Sequence, residues 1–341
     1  MIWRVFPANE FDRYAQEWDQ LNAIGPCSPV LHSDFIGPAL AVFGRGNEKL
    51  VVFEQDGAPV AMGLFQRTRL GVWDTFQPSQ APLGCWVDAS GLSVDALLAK
   101  LIRALPGLVL QVGLTQQDPD LYPRPAESAC VRTLDYIQTA RISIDRPFDA
   151  YWAARGKNLR HNMKRQRNRL ERDGVKLRLE ILTLPEQMRS GVQDYGGLES
   201  AGWKAGGGTA IRADNPQGQF YIEMLERFCR RGHGRIYRYF YNDDLAATDL
   251  CIDHEGTLIV LKTTYDEAQD TTSPALLMRQ EAFQQLFAEA GMRRIEFYGK
   301  VMEWHTKWSE EIRTMYHLNV CTRFVALFLR RSLLSASTLD S

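Results

Sequence analysis

Apolar side chains recur at Phe11, Tyr14, Trp18 and Leu21, a three-and-four spacing that predicts a helix over residues 10–21. The period then changes. Residues 49–54, KLVVFE, form a short apolar run, Gln55-Asp56-Gly57 carries turn chemistry, and residues 60–65 return as a second run, so a hairpin is expected. A helix over 94–105 and a strand over 108–112 follow. Pro119, Pro123 and Pro125 then mark a loop or boundary.

Beyond residue 140 the alternation of elements resumes. Residues 148–152 lead into a basic helix over 157–172, which Asp173-Gly174 stops. A strand over 176–182, a helix over 185–199, a glycine-rich loop at 205–208 and a helix over 217–230 come next. Three strands are expected at 235–241, 245–252 and 258–264, joined by Asn242-Asp243-Asp244 and His254-Glu255-Gly256. A long helix over 273–290 ends at Gly291, and a strand covers 294–298. Residues 314–334 read as a basic amphipathic helix docking on the second half through Val320, Phe324, Leu327 and Phe328. Its Arg323, Arg330 and Arg331 could touch anionic lipid, a plain surface helix being the alternative. VVFEQDGAPVAMGLF and YRYFYNDDLAATDLC share a strand, acidic turn and return strand, which points to duplicated domains. The expected fold is therefore α/β, with domains at 1–140 and 141–341, the second closing on the C-terminal helix.

Composition narrows the function classes. The 341 residues are 45% hydrophobic and 24% charged with a net charge of -1, which is ordinary globular composition without a global bias toward polyanions. No apolar run approaches the roughly 20 residues of a spanning helix, and the start lacks a signal-peptide stretch, so a cytoplasmic location is expected. The six cysteines are far apart and read as free thiols. Cys251 and His254 form a lone C-x-x-H, read as a strand cysteine and a turn histidine, so no metal is expected. The absence of G-x-S-x-G and of G-x-x-x-x-G-K-[ST] excludes the α/β-hydrolase and P-loop classes.

The stretch TLIVLKTTYDEAQDTTSPALLMRQ reads as strand, polar loop and helix. Ser273-Pro274 opens that helix, and its free amides and dipole suit an anion such as a pyrophosphate. Pro274 has no N–H, so Ala275, Leu276 and Leu277 would supply the amides. In the basic helix, Arg155, Lys157, Arg160, Lys164, Arg165, Arg167, Arg169 and Arg172 crowd one segment. Such a run is a solvated face or a surface for a polyanion.

This order of elements resembles the acyl-CoA core of GNAT acetyltransferases. That family's loop runs Arg or Gln, two residues, Gly, one residue, then Gly or Ala. Here Asp270-Thr-Thr-Ser273-Pro-Ala275 keeps only the last position. The chain is more similar to the BioF2-like or CelD-like acetyltransferases, relatives of the FemABX peptidyltransferases. The matching features are KNLRHNMKRQRNRLERDG, Trp203-Lys204 before Thr209-Ala210, Tyr265-Asp266, Ser273-Pro274 and Lys307-Trp308. The resemblance implies tandem GNAT-like domains, each a mixed, mostly antiparallel sheet flanked by helices. It implies acyl-CoA (acetyl-CoA) as co-substrate, and an amine acceptor such as an amino sugar or a cell-envelope precursor. Asp266, Tyr265 and Lys307 become the catalytic candidates. Lys262, Thr263, Thr264, Ser273, Ala275, Leu276 and Leu277 become the donor-site candidates, and Arg160, Trp203, Lys204, Glu303 and Trp308 the acceptor-side ones. The alternatives are an aminoacyl-tRNA-dependent transferase of the FemABX kind and a non-catalytic GNAT-like binding module.

Overall fold

The computed structural model describes residues 1–201, 211–269 and 271–326. The chain opens with β1 (Ile2–Pro7), α1 (Ala15–Ile24), α2 (Ser33–Phe43), β2 (Lys49–Gln55), β3 (Ala58–Arg69) and β4 (Val72–Thr75). Then come β5 (Trp86–Asp88), α3 (Val94–Ala104), β6 (Gln111–Gln117) and the long β7 (Val131–Ser143). Next are α4 (Phe148–Ala153), α5 (Lys157–Arg172), β8 (Leu177–Leu182), α6 (Met188–Ala201), α7 (Pro216–Arg230) and β9 (Gly234–Tyr241). The rest is β10 (Asp244–His254), β11 (Thr257–Tyr265), α8 (Pro274–Ala288), β12 (Arg294–Glu296), α9 (Glu303–Trp308) and β13 (Glu311–Cys321). These elements form two compact units, one of Met1–Gln138 with the segment from Arg313, the other of Thr139–Ile312.

In the first unit the strands run in the order β1-β2-β3-β4-β6-β13. All neighbours are antiparallel except β4 and β6, which α3 connects in parallel. Asp56 and Gly57 close the β2–β3 hairpin at φ 53° and 84°, the left-handed pair that a two-residue turn between twisted strands requires. Trp3 packs 4.9 Å from Phe53 and 5.9 Å from Trp86, ring centre to ring centre, and Leu97 and Leu101 of α3 complete this core.

The second unit has the order β8-β9-β10-β11-β12-β7, again antiparallel except for β11 and β12. Side chains alternate across a strand. Tyr237, Tyr239 and Tyr241 of β9 thus join the core under α8, with Leu277, Phe283, Ile295 and Trp308. Ile236 points the other way, against Gly191 of α6. The two internally similar segments are the first hairpins of the two meanders, β2–β3 and β9–β10. Each meander ends in a parallel pair, so tandem GNAT-like units of mixed, mostly antiparallel sheet are what the chain forms.

The last strand of each unit is out of sequence order. β7 follows β6 in the chain but pairs with β12, whereas β13 follows β12 but pairs with β6. This corrects the expected C-terminal helix. Residues 311–321 are a strand, in the first unit from Arg313 onward, because Tyr316, Leu318 and Val320 are buried there at every second position. Phe324 is 74% exposed and Arg323 is exposed, and Leu327, Phe328, Arg330 and Arg331 lie outside the described residues. No helix among the described residues is long and apolar enough to cross a membrane. Among the described residues no disulfide links any of the six cysteines, and Cys251 is buried on β10.

Candidate active site

The site begins with a parting of two strands. β11 pairs with β10 along its length, but with β12 only through Thr257, Ile259 and the residue between them, opposite Arg294–Glu296. Gly256 sets this register: its carbonyl accepts from the amides of Arg293 at 2.7 Å and Arg294 at 3.1 Å. At Phe297 the chain turns to β7, donating its amide to Ala140 O at 3.2 Å. From Val260 to Tyr265, no described strand pairs with β11 on that side. Beside this bared edge α8 begins.

A cavity of about 590 Å³ fills the space. Its walls are Thr263, Thr264 and Tyr265 of β11, then Glu267, Gln269, Thr272 and Ser273 of the following loop. Ala275, Leu276 and Arg279 of α8, Trp304 and Lys307 of α9, and Leu198 and Glu199 of α6 close it. Seven residues singled out from the sequence therefore meet here: Thr263, Thr264, Tyr265, Ser273, Ala275, Leu276 and Lys307. Lys307 is half-exposed and pairs with Glu303 at 3.3 Å across one helical turn.

The other candidates lie elsewhere. Trp308 is fully buried, 5.1 Å from Phe283 and 5.8 Å from Trp152, so it is a core residue and not a substrate contact. Glu303 is 87% exposed and outside the cavity wall. Asp266 shapes its own turn, accepting from Ala268 N and Gln269 Nε2 at 3.0 Å each, and does not line the cavity. Lys262 faces away, its Nζ 5.9 Å from the centre of the Tyr221 ring, because it alternates with Thr263. Arg160 donates to Arg155 O at 3.1 Å and is not at the cavity. Trp203 and Lys204 lie outside the described residues. The helix end also offers less than expected. The Leu276 and Leu277 amides donate to Ser273 O at 3.0 and 3.1 Å, and the Leu277 side chain is in the core. Of the three amides, Ala275's alone makes no backbone hydrogen bond among the described residues. The Ser273 side chain does not cap the helix, and its N–H donates to Gln166 Oε1 at 2.8 Å, tying the loop to α5.

A polar network that no sequence motif marks lies under the cavity. Arg279, 3% exposed, donates from Nε and Nη2 to the two Asp249 carboxylate oxygens at 3.0 Å each, and from Nη2 to Thr263 Oγ1. Tyr195 OH lies 3.2 Å from Thr263 O and 3.3 Å from Glu199 Oε1, and Glu199 Oε2 accepts from Ile211 N at 2.7 Å. Burial, with the Glu199 charge second, pushes the Tyr195 hydroxyl well above the usual range, so it stays protonated. Trp304 lies over the Arg279 guanidinium at 4.3 Å and stacks on His305 at 3.6 Å. Burial, then the Arg279 charge, pushes His305 down to about 4, so it is neutral near pH 7.

The expected basic face is present. His161, Lys164, Arg165, Arg169 and Arg172 of α5 are exposed and line a groove that reaches Thr271, next to the cavity loop. Arg167 points inward to Glu281 at 2.6 Å. Met163 and Leu170 bury the opposite stripe, the arrangement of an amphipathic surface helix.

Comparison with known proteins gives three results. Residues 157–306 match the family model described as acetyltransferase (GNAT) domain. No curated protein matches the chain in sequence at a significant level. Among solved structures, FemX aligns with a TM-score of 0.59 at 10% identity, over 92% of this chain and 98% of its own. A C-terminal domain from Agrobacterium fabrum, assigned by name to a lysylphosphatidylglycerol synthetase, aligns at 0.55 and 14% identity, over 91% and 97%. A Bacteroides thetaiotaomicron protein of unknown function aligns at 0.56 and 10% identity, over 90% and 97%. At such identities these three show the fold alone. The matched segment holds the parting of β11 and β12, the start of α8 and most of the cavity wall, so it is this part of the second unit that is similar to GNAT domains.

Proposed function

We propose that the protein transfers an acyl group from a coenzyme A thioester to an amine in this cavity. One observation carries the reading: β11 loses its parallel neighbour after Ile259, and the bared edge ends beside the first turn of α8. An extended pantetheine arm adds to such an edge through backbone hydrogen bonds, as a peptide strand does. For the phosphates, the Ala275 amide and the exposed cations of α5 beside Thr271 are at hand. In the reaction the amine nitrogen attacks the thioester carbonyl, the carbon–sulfur bond breaks, and the thiol leaves. The amine must lose a proton. Glu199, a buried carboxylate on the cavity wall, is placed to take it directly or through one water, which Asp266 and Glu303 are not. Lys307, half-exposed and paired with Glu303, lines the wall as a further polar contact for the substrates. Glu199 and Glu267, set in the lining beside Arg279 and Lys307, offer carboxylates to the amine of an acceptor such as an amino sugar or a cell-envelope precursor.

A second reading rests on α5, which spans roughly 24 Å at 1.5 Å per residue. That is longer than one coenzyme needs, and it would suit an acyl donor carried on RNA. Calorimetric titration with acetyl-CoA tests both. The parent should bind, and Ala275→Asp should bind roughly tenfold more weakly, about 1.4 kcal/mol, because a carboxylate at that turn repels the phosphates. Equal binding by both would place the donor elsewhere. No binding of acetyl-CoA, with binding of bulk tRNA, would favour the second reading.

A further inference from the structure

Arg279 has one nitrogen to spare. Nε and Nη2 are committed to Asp249 and Thr263, as described. Nη1 makes no hydrogen bond among the described residues. It is not among the sealed interior atoms without partners, and the residue lines the cavity. The Trp304 ring at 4.3 Å and the two-point pairing with Asp249 hold the guanidinium plane in place. An arginine N–H held rigidly at a cavity wall, with no protein acceptor among the described residues, is open to donate to a ligand oxygen.

The charge balance indicates which kind of oxygen. Asp249 and Arg279 are each 3% exposed and cancel one another. A carboxylate ligand would add an uncompensated buried charge at that point, whereas a carbonyl oxygen needs only the directional donor that Nη1 offers. Thr263, which accepts from the same guanidinium, lies on the bared edge of β11. We propose that Nη1 of Arg279 donates to the carbonyl oxygen of the transferred acyl group. As the amine attacks, that oxygen takes on negative charge beside a donor already fixed in place. The charge returns to the carbonyl when the carbon–sulfur bond breaks. Arg279 keeps its proton throughout. Lys307, by contrast, is half-exposed and paired with Glu303, so its charge is screened.

The proposal rests on the acyl-CoA reading, and its test separates the two. Acetyl-CoA and S-ethyl-coenzyme A, which lacks the carbonyl, are titrated into the wild type and Arg279→Lys. The lysine keeps the charge beside Asp249 but cannot also present a second fixed donor. The wild type should prefer acetyl-CoA several-fold and the variant should not. The slow hydrolysis of acetyl-CoA, with water as acceptor, should fall on the order of 100-fold in kcat with a smaller change in KM. A variant that keeps the preference, or a wild type that binds both ligands equally, overturns the proposal. A wild type that binds neither ends the acyl-CoA reading and the proposal with it. If Arg279→Lys does not fold, the infrared band of carbonyl-labelled acetyl-CoA on the wild type decides. A band below its frequency in water supports the donor, and one at or above it overturns it.

Discussion

The two units carry the same crevice in opposite states. Each has a meander whose last strand runs parallel to the strand that follows a crossing helix, β4 with β6 and β11 with β12. In the first unit the gap beyond β4 is stitched shut. The Thr75 and Thr115 hydroxyls bond at 2.7 Å, Thr115 N donates to Thr75 Oγ1 at 2.9 Å, and Gly84 N donates to Thr115 O at 3.1 Å. Gly84 fits only because it lacks a side chain: an added Cβ would collide with Thr75 Oγ1 and with Thr115 O. In the second unit the corresponding strands part and the cavity opens. A shared topology thus sets where a crevice can form, and a few local hydrogen bonds decide whether it does. The repeat alone therefore assigns no function to either unit.

Three measurements probe this contrast. If the open crevice rests on the core beneath it, Trp308→Ala should cost about 3–5 kcal/mol of stability in urea denaturation. The folded variant should still bind acetyl-CoA like the parent. A large loss of affinity with little loss of stability would return Trp308 to the substrate side. In the closed crevice, Gly84→Ala should cost about 1–3 kcal/mol through overpacking and leave acetyl-CoA affinity unchanged. A loss of binding there would mean that the first unit takes part in donor recognition. The smallest effect concerns pH. His305 is pushed from 6.5 to about 4 in the folded protein, so on acidification the unfolded chain takes up the proton first. Its contribution is therefore complete above about pH 6.5 and is lost as pH falls through about 4. Denaturation curves for His305→Gln should lack that part of the slope, and an identical slope would show that His305 does not sense the cavity floor.

Local chemistry in the sequence revealed more of the second unit than of the first. The turns at Asn242 and Gly256 and the opening of α8 at Ser273-Pro274 located the meander and the cavity loop. The apolar residues of β13 run into those of the following segment, which gives the stretch a helical look in the sequence. Only Tyr316, Leu318 and Val320 betray a period of two. Arg279 could not be found because a lone arginine in a helix reads as solvent-facing, and its partner Asp249 sits on β10, thirty residues earlier. Trp304 and Trp308 lie one turn apart on α9. Which faces the cavity and which the core depends on packing against α8 and Phe297, not on spacing.

The exchange of last strands has a consequence for biosynthesis. When the ribosome has made residues 1–138, the edge of β6 still awaits a partner that lies at 311–321. At synthesis rates of about 5–20 residues per second, the delay is on the order of ten to thirty seconds. During that time Val112 and Leu114 border an unsatisfied hydrogen-bonding edge, the kind of surface that nascent-chain chaperones shield and that neighbouring chains can capture. For the same reason a gene cut between codons 138 and 139 would not yield a first half that folds alone. It would yield one lacking a strand that only the distant end of the message encodes.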